Sequence, residues 1–170
     1  MIDLHTHTIY SDGELLPLEL LELCDKKGVS IVSFTDHDTL SAYKDLNFLN
    51  PYPNITVIPG IELDGYYPEG QQHILGYNMD VKDENLNNIV RQIQEDNIRR
   101  IESLITVLKK EYGFVFKETD IDEIFSSVGT IGRPLVAKLI LKYGYSNSIK
   151  DIFTRYLNPV KSKVVKKKLE

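Results

Sequence analysis

Residues 31–39 read IVSFTDHDT, an apolar run that passes directly into three ionisable side chains. The apolar part does not alternate with polar residues, which is typical of a strand covered on both faces, as in a parallel sheet. Asp36, His37 and Asp38 follow where this strand ends. Ionisable groups beside a buried strand are costly unless a metal ion or a hydrogen-bond network compensates them. This stretch therefore predicts a parallel sheet with a functional site at its edge.

Segments on both sides of this stretch alternate between strand and helix patterns. A period of two at residues 2–7 predicts a strand. The segment PLELLELCDKKG at 17–28 predicts a helix, with proline near its first turn and glycine at its end. A second helix is predicted near 41–49 and a third strand at 55–59. The order strand, helix, strand, helix, strand indicates an α/β fold with a parallel sheet.

The pattern changes after residue 60. Residues 63–67 and 73–77 predict a hairpin around the sequence PEGQQ. A long helix is predicted from residue 85 to about 112, with one apolar face that includes Ile89 and Ile93. Shorter helices are predicted near residues 120–127, 134–143 and 149–157. We therefore expect a strand-rich part followed by a helical part.

Composition excludes some classes of protein and leaves others open. Hydrophobic residues make up 42% of the chain and charged residues 26%, as in an ordinary globular protein. No apolar run approaches the roughly 20 residues that span a bilayer, and the N-terminus lacks the pattern of a secretory signal. We therefore expect a cytoplasmic protein without a membrane partner. The single cysteine, Cys24, lies in an apolar helical pattern and is predicted to be a buried, inert thiol.

Charge is distributed unevenly along the chain. The net charge of −5 argues against a general nucleic-acid coat protein. It does not argue against a metal enzyme that handles phosphates, because bound cations reverse the local sign of the field. The last ten residues, KSKVVKKKLE, hold five lysines. They form either a solvated basic tail or a surface that touches nucleic-acid phosphate.

Metal-competent residues recur at the predicted strand ends. His5 and His7 are two residues apart on a strand, so their imidazoles project from the same face and can chelate a metal ion. Asp12 follows in a Ser-Asp-Gly turn, where a turn or helix-capping role is the alternative. His37 ends the second strand, and a surface loop explains it poorly.

Glu62 follows the third predicted strand in the sequence PGIE, and Gly60 permits a close backbone approach beside it. His73 returns on the hairpin. Ligands of parallel sheets gather at the carboxyl ends of the strands, and all four histidines lie in the first half of the chain. We therefore predict one multinuclear metal site built on His5, His7, Asp12, His37, Glu62 and His73.

Four motifs of this chain, MIDLHTHT with SDG, TDHDT, PGIE and HILGY, resemble the PHP (polymerase and histidinol phosphatase) superfamily. The chain is similar in particular to the stand-alone bacterial PHP phosphoesterases. The resemblance implies an α/β fold, a distorted (β/α) barrel of PHP type, with an α-helical insertion. It also implies two or three divalent metal ions, for which manganese, zinc and iron are equally suitable.

The resemblance also assigns roles to the ligands. It implies that His5 and His7 bind one metal, and that Asp12 and His37 bind a second. Glu62 would bridge the first and third metals, and His73 would bind the third. Asp36 is expected to orient a metal-binding imidazole, and Asp38 either does the same or caps the following helix. Arg133, with Arg99 or Arg100 behind it, is the candidate phosphate contact, because guanidinium groups pair with phosphate. A solvated helix face is the alternative for Arg99 and Arg100.

This sequence departs from the family pattern in two places. The three family ligands of the C-terminal half are absent, and Leu135 stands where the subgroup commonly has histidine after Gly-Arg-Pro. We therefore expect an apparently truncated half-barrel, divided as residues 1–82 for the barrel part, 83–157 for the insertion and 158–170 for a lysine-rich tail or the start of the missing half. An open barrel edge predicts self-association or a further part of the native protein, and weak or absent activity of these residues alone.

The function that the resemblance implies is hydrolysis of small nucleotide or oligonucleotide phosphates by a metal-activated hydroxide. The expected substrate is a nucleoside 3′,5′-bisphosphate or a short RNA attacked from its 5′ end. Two alternatives remain. One is a phosphatase of the histidinol-phosphatase type, and the other is a truncated module that binds a metal or a partner without turnover.

Overall fold

The strands of this mixed α/β protein form a three-stranded sheet and a separate hairpin in the computed structural model, which describes residues 1–46, 50–67 and 70–164. Strands β1 (Ile2–Thr6), β2 (Ile31–Phe34) and β3 (Thr56–Val57) are parallel and adjacent in that order. Strands β4 (Gly60–Tyr67) and β5 (Gly70–Tyr77) form the antiparallel hairpin. The parallel sheet and the hairpin predicted from the sequence are both confirmed.

Helix α1 (Pro17–Lys27) connects β1 to β2 and follows the predicted limits closely. Pro17 occupies the first turn, where a missing N–H costs nothing. Gly28 ends the helix with a φ of 71°, a left-handed conformation that glycine adopts without steric cost. Cys24 lies in the buried face of this helix, and burial is the main reason why the pKa of its thiol is raised. The predicted buried thiol is confirmed.

The other helices also lie near their predicted positions. Helix α2 (Ser41–Asp45) is short, and residues 47–49 of its predicted range lie outside the described residues. Ile89 of the long helix, predicted on its buried face, is 48% exposed, while the next residue, Val90, is buried. The remaining helices are α3 (Glu84–Tyr112), α4 (Glu118–Phe125), α5 (Arg133–Lys142) and α6 (Ile149–Ile152), the last continued by a π-helical turn, Phe153–Leu157. No helix among the described residues is long and apolar enough to cross a membrane.

The chain packs into two compact units. The first comprises Met1–Gln94 together with Val128–Thr130, and its core includes Leu21, Val32 and Phe34. The second comprises Glu95–Ser127 and continues from Ile131, and its core includes Leu108, Val136 and Ile140. The three-part division expected from the sequence stays a prediction. The lysines at 166–168 lie outside the described residues.

The hydroxyl of Tyr43 connects three backbone segments inside the first unit. It donates to the carbonyl of Phe34 at 2.7 Å and lies 3.2 Å from that of Ile58. It also accepts the N–H groups of Phe34 at 3.1 Å and Gly60 at 2.8 Å. Burial is the main reason why the pKa of Tyr43 is raised to about 12. One phenol therefore holds the end of β2, the segment after β3 and the start of β4.

Candidate metal centre

The site forms where the segment after β2 runs beside β4. The N–H of Glu62 donates to the carbonyl of Asp36 at 3.2 Å, and the N–H of Asp38 donates to the carbonyl of Glu62 at 2.9 Å. These bonds place His37 directly opposite Glu62 in a single parallel bridge. Asp38 turns the chain with a φ of 51°, a left-handed conformation that aspartate tolerates better than most residues.

The sequence predicted Glu62 at the end of a parallel strand, and this prediction is wrong. The third strand covers only Thr56–Val57 instead of residues 55–59, and Glu62 lies in the hairpin strand β4. Strand β4 begins at Gly60, where a Cβ would lie 2.2 Å from Ser33 Oγ. The close approach predicted at Gly60 is thereby confirmed, although Ser33 rather than the carboxylate is the neighbour.

The carboxylate of Glu62 is the common partner of the histidines. Its Oε2 lies 3.0 Å from His5 Nε2 and 3.2 Å from His7 Nε2, and its Oε1 lies 2.6 Å from His73 Nδ1. The side chain of Glu62 is only 4% exposed. Burial alone would raise the pKa of this carboxyl group, but the contacts with His5, His37 and His73 outweigh it and lower the pKa.

A second group of donors surrounds Asp12. Its Oδ1 lies 3.2 Å from His7 Nδ1, and its Oδ2 lies 3.8 Å from His37 Nε2. The rings of His7 and His37 are stacked with their centroids 4.9 Å apart. Asp12 is more than half exposed, so this side of the site faces solvent.

His37 and His73 form the third group with Glu62. Their rings meet edge to face at 5.0 Å. Nε2 of His37 lies 3.7 Å from Glu62 Oε2, and its Nδ1 lies 3.1 Å from Asp64 Oδ1. Burial on its own lowers the pKa of His37, but the hydrogen bond and charge of Asp64, together with Glu62 and Asp12, outweigh it and raise the pKa.

These contacts define three overlapping donor sets. They are His5, His7 and Glu62; His7, Asp12 and His37; and His37, Glu62 and His73. Within each set the ligand atoms lie within 4.8 Å of one another. Two donors bound about 2.0–2.2 Å from one ion lie roughly 3–4 Å apart, so each set fits a common divalent cation with little movement. All six predicted side chains are thus brought together, and shared members would link neighbouring ions.

The chain matches the PHP domain across residues 3–165. It belongs to the PHP family. It is similar to the 5′-3′ exoribonuclease Rnm of Escherichia coli, with 26% identity across 91% of this chain and 53% of that protein. It is also similar to the 3′,5′-nucleoside bisphosphate phosphatase of Chromobacterium violaceum, with 23% identity across 94% of this chain and 56% of that protein.

A solved structure from Bifidobacterium adolescentis has the same fold. Its TM-score is 0.75 at 24% identity, and the match covers 92% of this chain and 55% of that chain. This chain therefore spans about half the length of the PHP relatives that it matches. The membership inferred from the four motifs is confirmed.

Asp36 forms hydrogen bonds with Thr8 and Ser11, beside the candidate ligands of the PHP site. It is buried, and its carboxylate accepts the N–H and the hydroxyl of Thr8, both at 2.7 Å, and the hydroxyl of Ser11 at 2.6 Å. Ser11 Oγ in turn lies 3.2 Å from His7 Nδ1. Asp36 therefore reaches an imidazole through Ser11 and not directly. Neither Thr8 nor Ser11 was singled out in the sequence.

Asp38 contacts the strand that carries the candidate site. Its Oδ1 accepts the N–H of Asp64 at 3.1 Å, and its carbonyl accepts the side-chain amide of Gln94 at 3.1 Å. Helix α2 begins at Ser41 with Leu40 at its N-cap, so Asp38 is not a helix cap. Asp38 therefore fixes the backbone of β4 beside Glu62.

Two further residues at the site were missed by sequence reasoning. Asp64 contacts His37, and its position two residues after Glu62 on a strand was a usable signal, because residues two apart share a face. The hydroxyl of Thr130 donates to the carbonyl of His37. The N–H of Thr130 donates to the carbonyl of Tyr10 at 2.9 Å. Thr130 lies 93 residues after His37, and no local pattern predicts such a contact.

The three arginines predicted to contact phosphate belong to the second unit. Arg99 pairs with Asp96, and Arg100 lies 3.5 Å from the amide oxygen of Asn97. Arg133 donates to the amide oxygen of Asn158 at 3.3 Å and lies over the ring of Phe153. Their contact with phosphate stays a prediction.

Proposed function

We propose that this chain carries the metal-binding part of a phosphoesterase that hydrolyses small nucleotide or oligonucleotide phosphates. The observation that carries the proposal is the set of three overlapping donor groups joined through His7, His37 and Glu62. Mixed imidazole and carboxylate ligands suit zinc, manganese and iron. Two of the PHP relatives are named for the removal of phosphate groups or nucleotides, which supports the same class of reaction.

The proposed ligands are His5, His7, Asp12, His37, Glu62 and His73. When bound there, two or three divalent cations would neutralise charge on phosphate oxygens and acidify a water molecule. Glu62 is suited to join two ions, because its two oxygens face different histidines. The exposed side of the site at Asp12 and His5 leaves room for a phosphate group to enter.

We propose a nucleoside 3′,5′-bisphosphate or a short 5′-phosphorylated RNA as the substrate. Both relatives named above act on nucleotide or RNA phosphates according to their names. Arg133 is the strongest of the three candidate phosphate contacts, because the partners described for it are a neutral amide and an aromatic ring. Arg99, by contrast, is already paired with a carboxylate.

The finer barrel assignment is likewise a proposal. Strand β1 is at one edge of the three-stranded sheet, and Ile2 and Leu4 on this strand are 61% and 37% exposed. A strand at the edge of a sheet that carries exposed apolar side chains favours pairing with another strand. We propose that further strands of a PHP barrel, or a second copy of this chain, cover β1. Size-exclusion chromatography with light scattering would test the second possibility.

Metal content and phosphate release test the proposed function together. We expect elemental analysis to find zinc, manganese or iron, and we expect phosphate release from a nucleoside 3′,5′-bisphosphate to depend on that metal. Glu62→Gln should lose both, whereas Glu22→Gln, which removes the same charge from the exposed face of α1, should lose neither. Bound metal without turnover of any phosphoester would favour a non-catalytic module, and preferred turnover of histidinol phosphate would favour the alternative phosphatase.

A further inference from the structure

Asp64 contacts two of the candidate ligands without belonging to any of the three donor sets. It follows Glu62 by two residues on β4 and lies opposite His73 in the hairpin register. Its Oδ1 lies 3.1 Å from His37 Nδ1 and 3.6 Å from His73 Nε2. Residues two apart on a strand project from the same face, so Glu62 and Asp64 approach the same imidazoles from adjacent positions.

The two carboxylates face opposite nitrogens of each ring. Nε2 of His37 points toward Glu62, while its Nδ1 points toward Asp64. Nδ1 of His73 lies 2.6 Å from Glu62 Oε1, while its Nε2 lies 3.6 Å from Asp64 Oδ1. A neutral imidazole carries its proton on one nitrogen and a lone pair on the other, and the partner of the first decides which nitrogen is left to bind a metal.

Asp64 is itself held in place. Its N–H donates to Oδ1 of the buried Asp38 at 3.1 Å, and the bonds between Asp38 and Glu62 fix the backbone on the other side. Its side chain is only 23% exposed, so water competes weakly for the hydrogen bond with His37. The contact is therefore built into the fold and does not depend on a flexible surface side chain.

We propose that Asp64 is a positioning residue that holds the proton of His37 on Nδ1, which leaves the lone pair of Nε2 facing Glu62 and Asp12. The part of this inference that concerns a cation rests on the proposed function. The tautomer does not, because it follows from the contact between His37 Nδ1 and the carboxylate of Asp64, which can only accept a hydrogen bond.

Nitrogen-15 NMR of the metal-free chain tests the tautomer directly, at a pH where the ring is neutral. We expect two-bond correlations to show His37 with its proton on Nδ1. Asp64→Ala should lose this preference, and Asp64→Asn should keep it because the amide oxygen can accept the same bond. Asp25→Ala, which removes one exposed negative charge from α1, should leave it unchanged. A proton on Nε2 in the wild type, or no change in Asp64→Ala, would overturn the proposal.

Zinc affinity measured by competition with a chromophoric chelator gives a second readout. Loss of a carboxylate that orients a metal-binding imidazole weakens metal affinity by about 10- to 100-fold. We expect a decrease of this size for Asp64→Ala, partial recovery in Asp64→Asn and no change in Asp25→Ala. Equal affinity in Asp64→Ala and the wild type would overturn the proposal. A wild-type chain that binds no metal would instead overturn the proposed function, and the NMR result would still decide the role of Asp64.

Discussion

Replacing Tyr43 with phenylalanine removes one oxygen atom and keeps the buried ring. In the native protein that hydroxyl accepts the N–H groups of Phe34 and Gly60 and donates to the carbonyl of Phe34. All three groups belong to the backbone that places His37 and Glu62 beside each other. The variant leaves them buried and without this partner, and the candidate metal site is built on the same segments.

The expected loss of stability follows from those three groups. An orphaned buried donor or acceptor costs about 1–3 kcal/mol, and water entering the vacated space recovers part of this cost. We therefore expect Tyr43→Phe to lower the free energy of unfolding by about 3–5 kcal/mol, among the larger effects of a single substitution. Tyr77→Phe is the matched control. Its hydroxyl donates to one exposed carbonyl, that of Leu4, so a loss of no more than about 1 kcal/mol is expected.

The same variant changes how the free energy of unfolding depends on pH at alkaline pH. The pKa of Tyr43 is raised to about 12 in the folded protein, against about 10 for an unperturbed phenol. A raised pKa stabilises the fold fully below pH of about 10, and this contribution is lost as the pH rises toward 12. Between these limits the wild type should lose stability more steeply than Tyr43→Phe, by up to about 1.4 kcal/mol per pH unit.

Urea unfolding followed by circular dichroism measures the free energy, and amide hydrogen exchange locates the effect. The N–H groups of Phe34 and Gly60 should exchange faster in Tyr43→Phe than in the wild type, while Tyr77→Phe should leave them protected. Equal stability of the two variants, together with unchanged exchange at Phe34 and Gly60, would refute the role given to the Tyr43 hydroxyl.

Three other predictions concern the site itself. Gly60→Ala should destabilise the protein by about 1–3 kcal/mol, because its Cβ would lie 2.2 Å from Ser33 Oγ, and urea unfolding checks this. Added Mn²⁺ or Zn²⁺ should raise the melting temperature relative to a chelator-treated sample, since ligand binding to the folded state stabilises it; coincident melting curves would contradict a metal site. In the metal-free protein the lowered pKa of Glu62 contributes stability above the ordinary carboxyl pKa, and this contribution is lost as the pH falls. The free energy of unfolding of Glu62→Gln should therefore decrease less steeply than that of the wild type as the pH is lowered.

Local patterns predicted the elements that local forces determine. Pro17 and Gly28 act through the geometry of single residues, and the helix ends where they predict. His5 and His7 share a strand face because side chains alternate with a period of two. Their convergence with His37 could be anticipated because parallel strands share one carboxyl edge, as β1 and β2 do.

The features that sequence reasoning missed depend on contacts between distant segments. Glu62 was assigned to the end of a parallel strand, but the third parallel strand ends at Val57, and Glu62 lies in β4 of a hairpin whose other strand carries His73. No residue pattern distinguishes these two routes, because both place a carboxylate after an apolar run. Thr130 shows the same limitation over a longer distance, since its partner carbonyl belongs to His37.

Asp64 lies between these two cases. Its place on the site face follows from the same alternation that identified His5 and His7, because it is two residues beyond Glu62. Its function as a partner of His37 does not follow, since it needs the parallel bridge that brings His37 opposite Glu62. The sequence identifies the metal-competent side chains of this chain, whereas backbone pairing brings His37 beside Glu62 and Asp64. The contact between Asp64 and His37 therefore depends on the fold, although each of the two residues lies in a segment that the sequence already marks.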